Sequence, residues 1–527
     1  MALTLDDIVT SPSPLGKQVW FTVSSNDPNI VKMKGNLNID TSAVIILDPD
    51  IGQTDIFTFD FQKIIESNLG GYLTTEEGGH GMPTLDAFGI FDASEAFAQV
   101  SGTFYELVST GSGGVVVGAS QSFANVIDVL NAFLPREESQ TFSVFDLSSS
   151  SKRFLTNNSP NSPYPVQKRR IKLTENAWLS AYDSTAHTDL YLKVTVTDIN
   201  NVETVSYVDA TALATNDRVD FSVGAVNLNA ATLDATYSAG VQPIIDSTTQ
   251  SYTVQVITLG GEDCVNGDFA SSAGWTLGGF WSISSGTAND GTTTAGDVLS
   301  RTLGINTSYD YVVSCDLVSY GGAGNSITIA FDNTDILSIV ADVDGTGVKG
   351  NTFTTASAIS NYDIEITAVV STLVEIDDVS IKAVNPISEE ITFKIDNTCN
   401  NKEVRFYWEN RFGGLDSYTF KNKTRGISVD KETYVKPLTK DFTNESRGST
   451  TLGGESTGVF SVFTPPLKDN KLIWLEEIFE DRATYIEENG LFIPVKVTRN
   501  SATTVEEGKT KLQIDYVYAN NRVILGK

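Results

Sequence analysis

The chain has 527 residues, 40% of them hydrophobic and 10% aromatic, and this length predicts about three to five domains. Its 66 acidic and 36 basic residues give a net charge of -30, which excludes the basic surface that nucleic-acid binding requires. The first seven residues lack the features of a secretory signal, and no stretch approaches 18 uncharged apolar residues. We therefore expect no nucleic-acid partner, no Sec export and no membrane insertion.

Residues 1–110 alternate polar and apolar side chains in short runs separated by Gly, Asn, Asp and Ser, which is typical of strands joined by turns. The pattern predicts strands at 18–24 and 43–47. It also predicts a strand at 57–60 that runs into a helical turn at 61–67. These elements indicate an N-terminal β-sandwich.

Residues 111–169 interrupt this pattern. A Gly-Ser stretch at 110–118 is followed by a segment at 122–133 with the composition of a helix, and 148–165 is rich in Ser, Asn and Pro. We expect an irregular surface excursion with one helix. The densest basic run of the chain, Lys168-Arg169-Arg170, closes this region and is predicted to be a solvated loop edge.

The strand pattern returns at 170–259 and again at 387–450, and we expect these two segments to form one discontinuous β-sandwich. The stretch between them, 260–386, is dense in Gly, Ser and Thr and poor in basic residues, so it is predicted to be an inserted domain. An insertion between adjacent strands makes a specific prediction: the strand at 252–258 should pair with the strand at 390–396.

Residues 451–527 are predicted to form a C-terminal β domain. It contains a short helix or strand at 472–479, and strands at 485–487 and 491–497 flank an Asn489-Gly490 turn, whose residues tolerate the positive φ of a tight hairpin. The predicted fold class is therefore all-β, with several immunoglobulin-like β-sandwich domains and one inserted jelly roll.

The insertion carries motifs in a specific order: Asn266-Gly267-Asp268-Phe269, Gly274-Trp275, Trp281, Ser285-Gly286-Thr287-Ala288 and an acidic strand at 374–381. Over about 120 residues it resembles carbohydrate-binding jelly-roll modules of the galactose-binding-like type. The resemblance implies that the first and last strands lie side by side, where such modules often hold a structural calcium ion. Asp268, Asp377 and Asp378 are the candidate ligands. The alternative is that Asp377 and Asp378 cap a strand end and Asp268 makes a turn.

Sugar binding in such modules rests on aromatic rings that stack against pyranose faces. Trp275 and Trp281 stand where the family places core residues, so we expect both to be buried. The remaining aromatic side chains are the candidate glycan contacts: Phe280, Tyr309, Tyr311 and Tyr320. The resemblance thus implies host-surface glycan as a candidate partner, without a mapped site.

A second resemblance lies outside the insertion. Two aromatic strands flank an Asn-Arg-Phe-Gly-Gly-Leu-Asp turn within 404–420, and together with segments 11–25, 57–69 and 465–497 they resemble tail and other virion proteins of tailed phages that infect Bacteroidetes. The turn has a structural interpretation. Gly413 and Gly414 are expected to supply its backbone conformations, and Asp416 is expected to accept hydrogen bonds from its amides. Trp408 and Phe420 are expected to fill its core.

Catalytic patterns are not found in the sequence. His80 and His187 show no second ligand nearby, and no HExxH, GxSxG or P-loop signature occurs. Cys264, Cys315 and Cys399 are odd in number and widely spaced, which predicts no disulfide framework and folding in reducing cytoplasm. We expect a protein that is not an enzyme and has no certain cofactor.

The leading hypothesis is a structural virion component, of the tail or its baseplate, that assembles in the host cytoplasm. Its expected partners are further copies of itself, in a ring or fibre, and other virion proteins. Two alternatives remain: an adhesin whose jelly roll binds host glycan, and a polysaccharide depolymerase with a carbohydrate-binding module, for which two carboxylates would suffice.

Overall fold

The computed structural model describes residues 3–7, 13–14, 20–39, 45–47, 51–52, 56–62, 64–65, 90–92, 97–123, 127–130, 147, 153–157, 168–183, 190–210, 217–230, 245–291, 297–321, 326–340, 344–368, 374–397, 402–435, 440–443, 449–479, 484–488, 491–506 and 509–519. Strands dominate this part of the chain, which confirms the all-β class. Its helices include α1 (Ala225–Ala230) and α2 (Asp469–Glu476). None of the helices in these residues is long and apolar enough to span a membrane.

The N-terminal region forms two facing sheets. Its strands are β1 (Leu3–Asp7), β2 (Ser13–Pro14), β3 (Trp20–Ser25), β4 (Ile30–Ile39), β5 (Ile45–Leu47), β6 (Ile51–Gly52), β7 (Ile56–Asp60), β8 (Ile90–Asp92), β9 (Phe97–Ser109), β10 (Val115–Ser122) and β11 (Ile127–Leu130). One sheet has the order β1-β3-β7-β6, and the other β2-β11-β9-β4-β5 with β10 beside β9. Phenylalanines fill the space between them, and Phe21 stacks on Phe123 with ring centroids 4.5 Å apart.

The predicted helix at 122–133 is wrong within the described residues. Ile127–Leu130 is strand β11, which pairs antiparallel with 97–100 of β9. Ile127 and Val129 are both buried, a spacing of two that suits a strand, and β-branched side chains favour the extended backbone. The Gly-Ser stretch is likewise a hairpin between β9 and β10, with Gly111 and Gly113 at positive φ.

The second sandwich and the inserted module share one sheet of ten strands. The strands of the sandwich are β12 (Arg169–Ile171), β13 (Trp178–Asp183), β14 (Leu190–Asp198), β15 (Glu203–Asp209), β16 (Asp217–Ser222), β17 (Thr249–Glu262) and, after the insertion, β28 (Ile391–Ile395). All of them except β13 and β16 belong to the shared sheet. Residues 251–254 of β17 pair with 391–394 of β28, so the predicted pairing is confirmed. Strand β8 from the N-terminal region completes the opposite sheet, β13-β16-β8.

The inserted module is a sandwich of two sheets around its own core. Its strands are β18 (Thr276–Leu277), β19 (Trp281–Ser284), β20 (Thr287–Asp290), β21 (Val298–Thr302), β22 (Asp310–Tyr320), β23 (Ser326–Phe331), β24 (Thr334–Val340), β25 (Gly347–Thr354), β26 (Asp363–Ala368) and β27 (Val374–Pro386). Trp275 and Trp281 are 7% and 4% exposed and belong to this core, as expected. The last residues of strand β27, 382–386, pair with 257–262 of β17.

The C-terminal region is a closed barrel with the order β29-β30-β31-β34-β33-β32. Its strands are β29 (Val404–Glu409), β30 (Leu415–Val435), β31 (Ser449–Phe463), β32 (Thr484–Glu488), β33 (Leu491–Glu506) and β34 (Lys509–Tyr518). Residues 484–488 pair with 491–495, so the predicted hairpin is confirmed. The domain boundary expected at 450 instead falls inside this barrel, because β29 and β30 pair with the C-terminal strands rather than with the second sandwich.

Candidate functional site

Tyr311 is not available to a sugar. Its side chain is 1% exposed, its ring stacks on Phe353 with centroids 5.6 Å apart, and its hydroxyl accepts a hydrogen bond from the backbone N–H of Asn306 at 2.8 Å. The prediction that Tyr311 contacts glycan is therefore wrong. The residue lies within strand β22 on the face that packs into the module core.

Tyr309 and Tyr320 lie at opposite ends of the inserted module. Tyr309, 45% exposed, precedes strand β22, and Tyr320 is its last residue. Eleven residues of extended chain separate the two by roughly 36 Å. At the Tyr309 end, Asp310 forms an ion pair of 2.9 Å with Lys193 of the second sandwich, so Tyr309 lies near the base of the module. The two tyrosines cannot belong to one site.

Phe280 and Tyr320 share the other end. The register places Trp281 opposite Asp290, Asp290 opposite Val374, and Val374 opposite Tyr320, which sets the four residues in one row across four strands. Three strand spacings correspond to about 14 Å. Phe280 directly precedes Trp281, so its ring and that of Tyr320 lie at the end of the module that is remote from the second sandwich.

A carboxylate stands beside Phe280. Phe280 is 51% exposed, and a Cβ added to the adjacent Gly279 would lie 3.6 Å from Asp297 Oδ1. The indole N–H of Trp281 donates to the carbonyl oxygen of Asp297 at 3.1 Å and fixes its position. Asp297 Oδ2 is buried and has no hydrogen-bond partner among the residues that the structure describes. We call Phe280, Tyr320 and Asp297 the far-end surface; no sequence motif indicates Asp297.

The opening loop and the closing strand of the module lie side by side, as the resemblance implies. The backbone N–H of Val379 donates to the carbonyl oxygen of Gly267 at 3.0 Å. A Cβ at Gly267 would lie 1.8 Å from the Val379 carbonyl oxygen, so only glycine permits this approach. Asp268 Oδ1 accepts from the N–H of Ala270, which is the turn role considered as the alternative to calcium binding.

Several carboxylates gather next to this contact. Burial, and then the charges of Asp378, Asp316 and Asp268, raise the pKa of Asp377. Asp377 also accepts a hydrogen bond of 2.7 Å from the N–H of Asp378, whose φ is positive. Within the described ranges, however, no three acidic, His or Cys side chains form a group that could hold a metal ion. The acids repel one another without forming a ready coordination shell.

The junction between the second sandwich and the barrel is built on one buried carboxylate. Asp416 is 1% exposed and accepts hydrogen bonds from Thr156 Oγ1 at 2.8 Å, Asn410 Nδ2 at 2.8 Å and Trp474 Nε1 at 3.0 Å. Arg169 NH1 lies 3.2 Å from its Oδ1. Burial lowers the pKa of Arg169, and Asp416 opposes that shift. Arg169 is thus a core ion-pair partner and not the predicted solvated loop edge.

The Gly-Gly turn fits against the sandwich. Gly413 has a positive φ, as expected, but Gly414 serves a different purpose: a Cβ there would lie 2.1 Å from the carbonyl oxygen of Leu155. Asn410 Oδ1, rather than Asp416, accepts from the turn amides, including the N–H of Gly414 at 3.0 Å. The expected role of Asp416 as amide acceptor is therefore wrong, and its carboxylate joins the two domains instead.

A cavity of about 550 Å³ opens beside this junction. Its charged lining residues are Arg170, Lys172, Lys421, Lys468, Lys471, Glu175, Asp396 and Glu403. Lys172 pairs with Glu403, and Lys421 lies 3.4 Å from both Asp396 and Glu403. These carboxylates neutralise two of the cations, and the arrangement is that of an ion-pair network.

The two cysteines within the described residues are poorly placed for nucleophilic chemistry. Cys264 and Cys315 are buried, and burial raises the pKa of the Cys264 thiol to about 12, which leaves little reactive thiolate. Burial also raises the pKa of Cys315. His80, His187 and Cys399 lie outside the described residues.

Comparison with known proteins assigns this chain to no family. No family model matches the chain, and no curated protein matches it. Among solved structures, the full extracellular region of plexin A4 is 7% identical, with a TM-score of 0.15; the match covers 98% of this chain and 42% of that one. A likeness of this size carries no information about fold or function.

Proposed function

We propose that this chain is a structural component of a tailed-phage virion, of the tail or its baseplate, that presents its inserted jelly roll outward. The observation that supports this proposal is the shared ten-stranded sheet. Strand β17 runs from the second sandwich into the module, and the end of β27 pairs with it, so the module is attached by paired strands and not by flexible linkers. Such an attachment suits rigid display on a particle.

A small apolar cluster strengthens the base of the module. Tyr191 and Tyr207 of the second sandwich pack with Ile257, Val312 and Val384 across the shared sheet. Together with the ion pair between Lys193 and Asp310, this contact limits rotation of the module against the sandwich. The far-end surface is therefore held at a fixed distance from the body of the protein.

Glycan recognition at the far-end surface is the second candidate function. The exposed ring of Phe280 offers an aromatic face of the kind that binds sugars, and the carboxylate of Asp297 lies close to the neighbouring Gly279. An adhesin of this kind is compatible with a structural place in the particle. The depolymerase alternative has no comparable observation in its favour.

Localisation tests the structural proposal. Mass spectrometry of purified particles of the phage that encodes the chain should detect the protein, and gold-labelled antibodies against it should mark the tail or baseplate. Presence of the protein in infected cells combined with its absence from purified particles would refute the proposal. Turnover of host polysaccharide by the purified chain would instead support the depolymerase alternative.

A glycan array probed with the full chain tests the second candidate. Phe280→Ala should abolish binding to any glycan that the chain recognises, whereas Tyr309→Ala should leave binding unchanged. Tyr309 is a matched control because its ring is 45% exposed, close to the 51% of Phe280, but lies at the opposite end of the module. Equal loss in both variants, or no loss in either, would contradict a far-end site.

A further inference from the structure

The barrel extends a two-stranded arm. Residues 426–435 of β30 and 449–459 of β31 pair with each other, from Gly426 opposite Val459 to Val435 opposite Ser449. Strand β29 pairs with β30 only up to Phe420, and β34 pairs with β31 only from Phe460 onward. Among the described strands, none flanks the arm on either side. Ten extended residues give it a length of roughly 33 Å.

The arm exposes large apolar side chains. Ile427 is 68% exposed, Tyr434 49% and Val435 71%, and Phe442, in the segment between the two strands, is 59% exposed. A two-stranded ribbon is marginally stable in water at best, because it has no third strand or packed face to bury its side chains. Apolar side chains on such a ribbon therefore indicate a surface that is covered in the assembled protein.

The charge of the arm identifies the surface that it fits. The segment 424–459, which is the arm with its base residues Thr424 and Arg425, contains five basic and five acidic residues, so it is neutral, whereas the whole chain carries -30. Five of the 36 basic residues of the chain fall in these 36 positions, about twice their average density. Two acidic bodies repel each other, but a neutral ribbon relatively rich in Lys and Arg can approach an acidic body. The acidic body at hand is the rest of this chain.

We infer that the arm docks on a second copy of this chain and holds the copies together in a homo-oligomer. The inference deepens the proposed function, since it assigns the self-association surface of a particle component. The two statements fail separately, because oligomer formation is measured on the purified chain and localisation on the phage particle.

Shortening the arm is the first test. In the variant, residues 427–458 are replaced by Asn-Gly, which joins Gly426 to Val459, a pair that already faces across the arm. The barrel strands and their core remain, so the melting temperature should stay close to that of the full chain. Light scattering after gel filtration should find an oligomer for the full chain and a monomer for the variant. A monomeric full chain, or an unchanged oligomer in the variant, would overturn the inference.

A point substitution separates docking from loss of the hairpin. Ile427→Asp should raise the dissociation constant of the oligomer by roughly tenfold or more, because an apolar side chain that is buried in the contact is replaced by a charge. Ile199→Asp is the matched control: Ile199 is 64% exposed, against 68% for Ile427, but lies in a turn of the second sandwich. Sedimentation at graded concentrations gives both constants. An effect of equal size in the control would contradict docking through the arm.

Discussion

Replacing Asp416 by Asn should strongly destabilise the chain. The change keeps the size of the side chain and one acceptor oxygen but removes the charge that faces the buried Arg169 guanidinium. Breaking a buried ion pair by removing one partner costs about 3–5 kcal/mol. We expect the lower end, about 3 kcal/mol, because Glu389 also acts on Arg169 and supports its charged form.

A double-mutant cycle isolates the pair. If the cost arises from an uncompensated guanidinium, then Arg169→Met should be much less harmful in the Asp416→Asn background than alone, with a coupling energy of about 2 kcal/mol. Urea unfolding followed by tryptophan fluorescence suits the measurement, since Trp474 donates directly to Asp416. Asp335→Asn, the same chemical change at an exposed strand position, is the control and should leave the midpoint unchanged.

Two outcomes would refute this reasoning. A loss below about 1 kcal/mol would place the pair in the range of surface ion pairs and contradict its burial. Additive effects of the two substitutions would mean that Asp416 stabilises the junction through Thr156, Asn410 and Trp474 without the arginine. In that case the carboxylate would act as an acceptor for neutral hydrogen-bond donors and not as an ion-pair partner.

Three further predictions follow from burial and close contacts. Gly414→Ala should lower stability by about 3 kcal/mol, the upper end of the usual cost of overpacking, because its Cβ would meet a backbone oxygen. Gly304→Ala, with open space around it, should have little effect in the same urea titration. Trp281→Ala should cost about 3–5 kcal/mol, whereas Phe280→Ala, half exposed, should leave the melting temperature nearly unchanged. The raised pKa of Asp377 means that the folded state binds its proton more tightly than the unfolded state does. The stabilisation from this bound proton is present at low pH and is lost as pH rises through the folded-state pKa. Asp377→Asn should therefore raise the melting temperature at pH 7, with no gain below about pH 4.

Local sequence patterns predict two kinds of element. In one kind the pairing partner is near in sequence, and in the other the same strand pattern returns later in the chain. The hairpin around 489–490 follows from two residues, and the pairing of β17 with β28 follows from the return of the strand pattern after the insertion. The burial of Trp275 and Trp281 follows from their places in the resemblance. These features depend on periodicity and turn chemistry, which a single sequence records directly.

Contacts between distant segments were not predictable in this way. Asp416 meets Thr156 across 260 positions, so nothing near either residue indicates the junction. Tyr309 and Tyr311 are two positions apart, but the strand begins at Asp310, and this boundary leaves one ring exposed and the other buried. The predicted boundary at 450 lies inside the barrel because the arm within β30 and β31 is rich in Gly, Ser, Thr and charged residues, which is the composition of a loop.

The shared sheet also determines how the protein would respond to mechanical load. A force applied at the far end of the inserted module and resisted at the sandwich acts along β17 and β27, parallel to the strands. Nine register positions join β17 to β14, and their hydrogen bonds would be sheared together rather than opened one after another. Cooperative rupture of many bonds requires more force than sequential unzipping. The paired strands thus transmit tension from the module to the second sandwich. A force on the far end of the module would therefore strain the body of the protein before it detached the module.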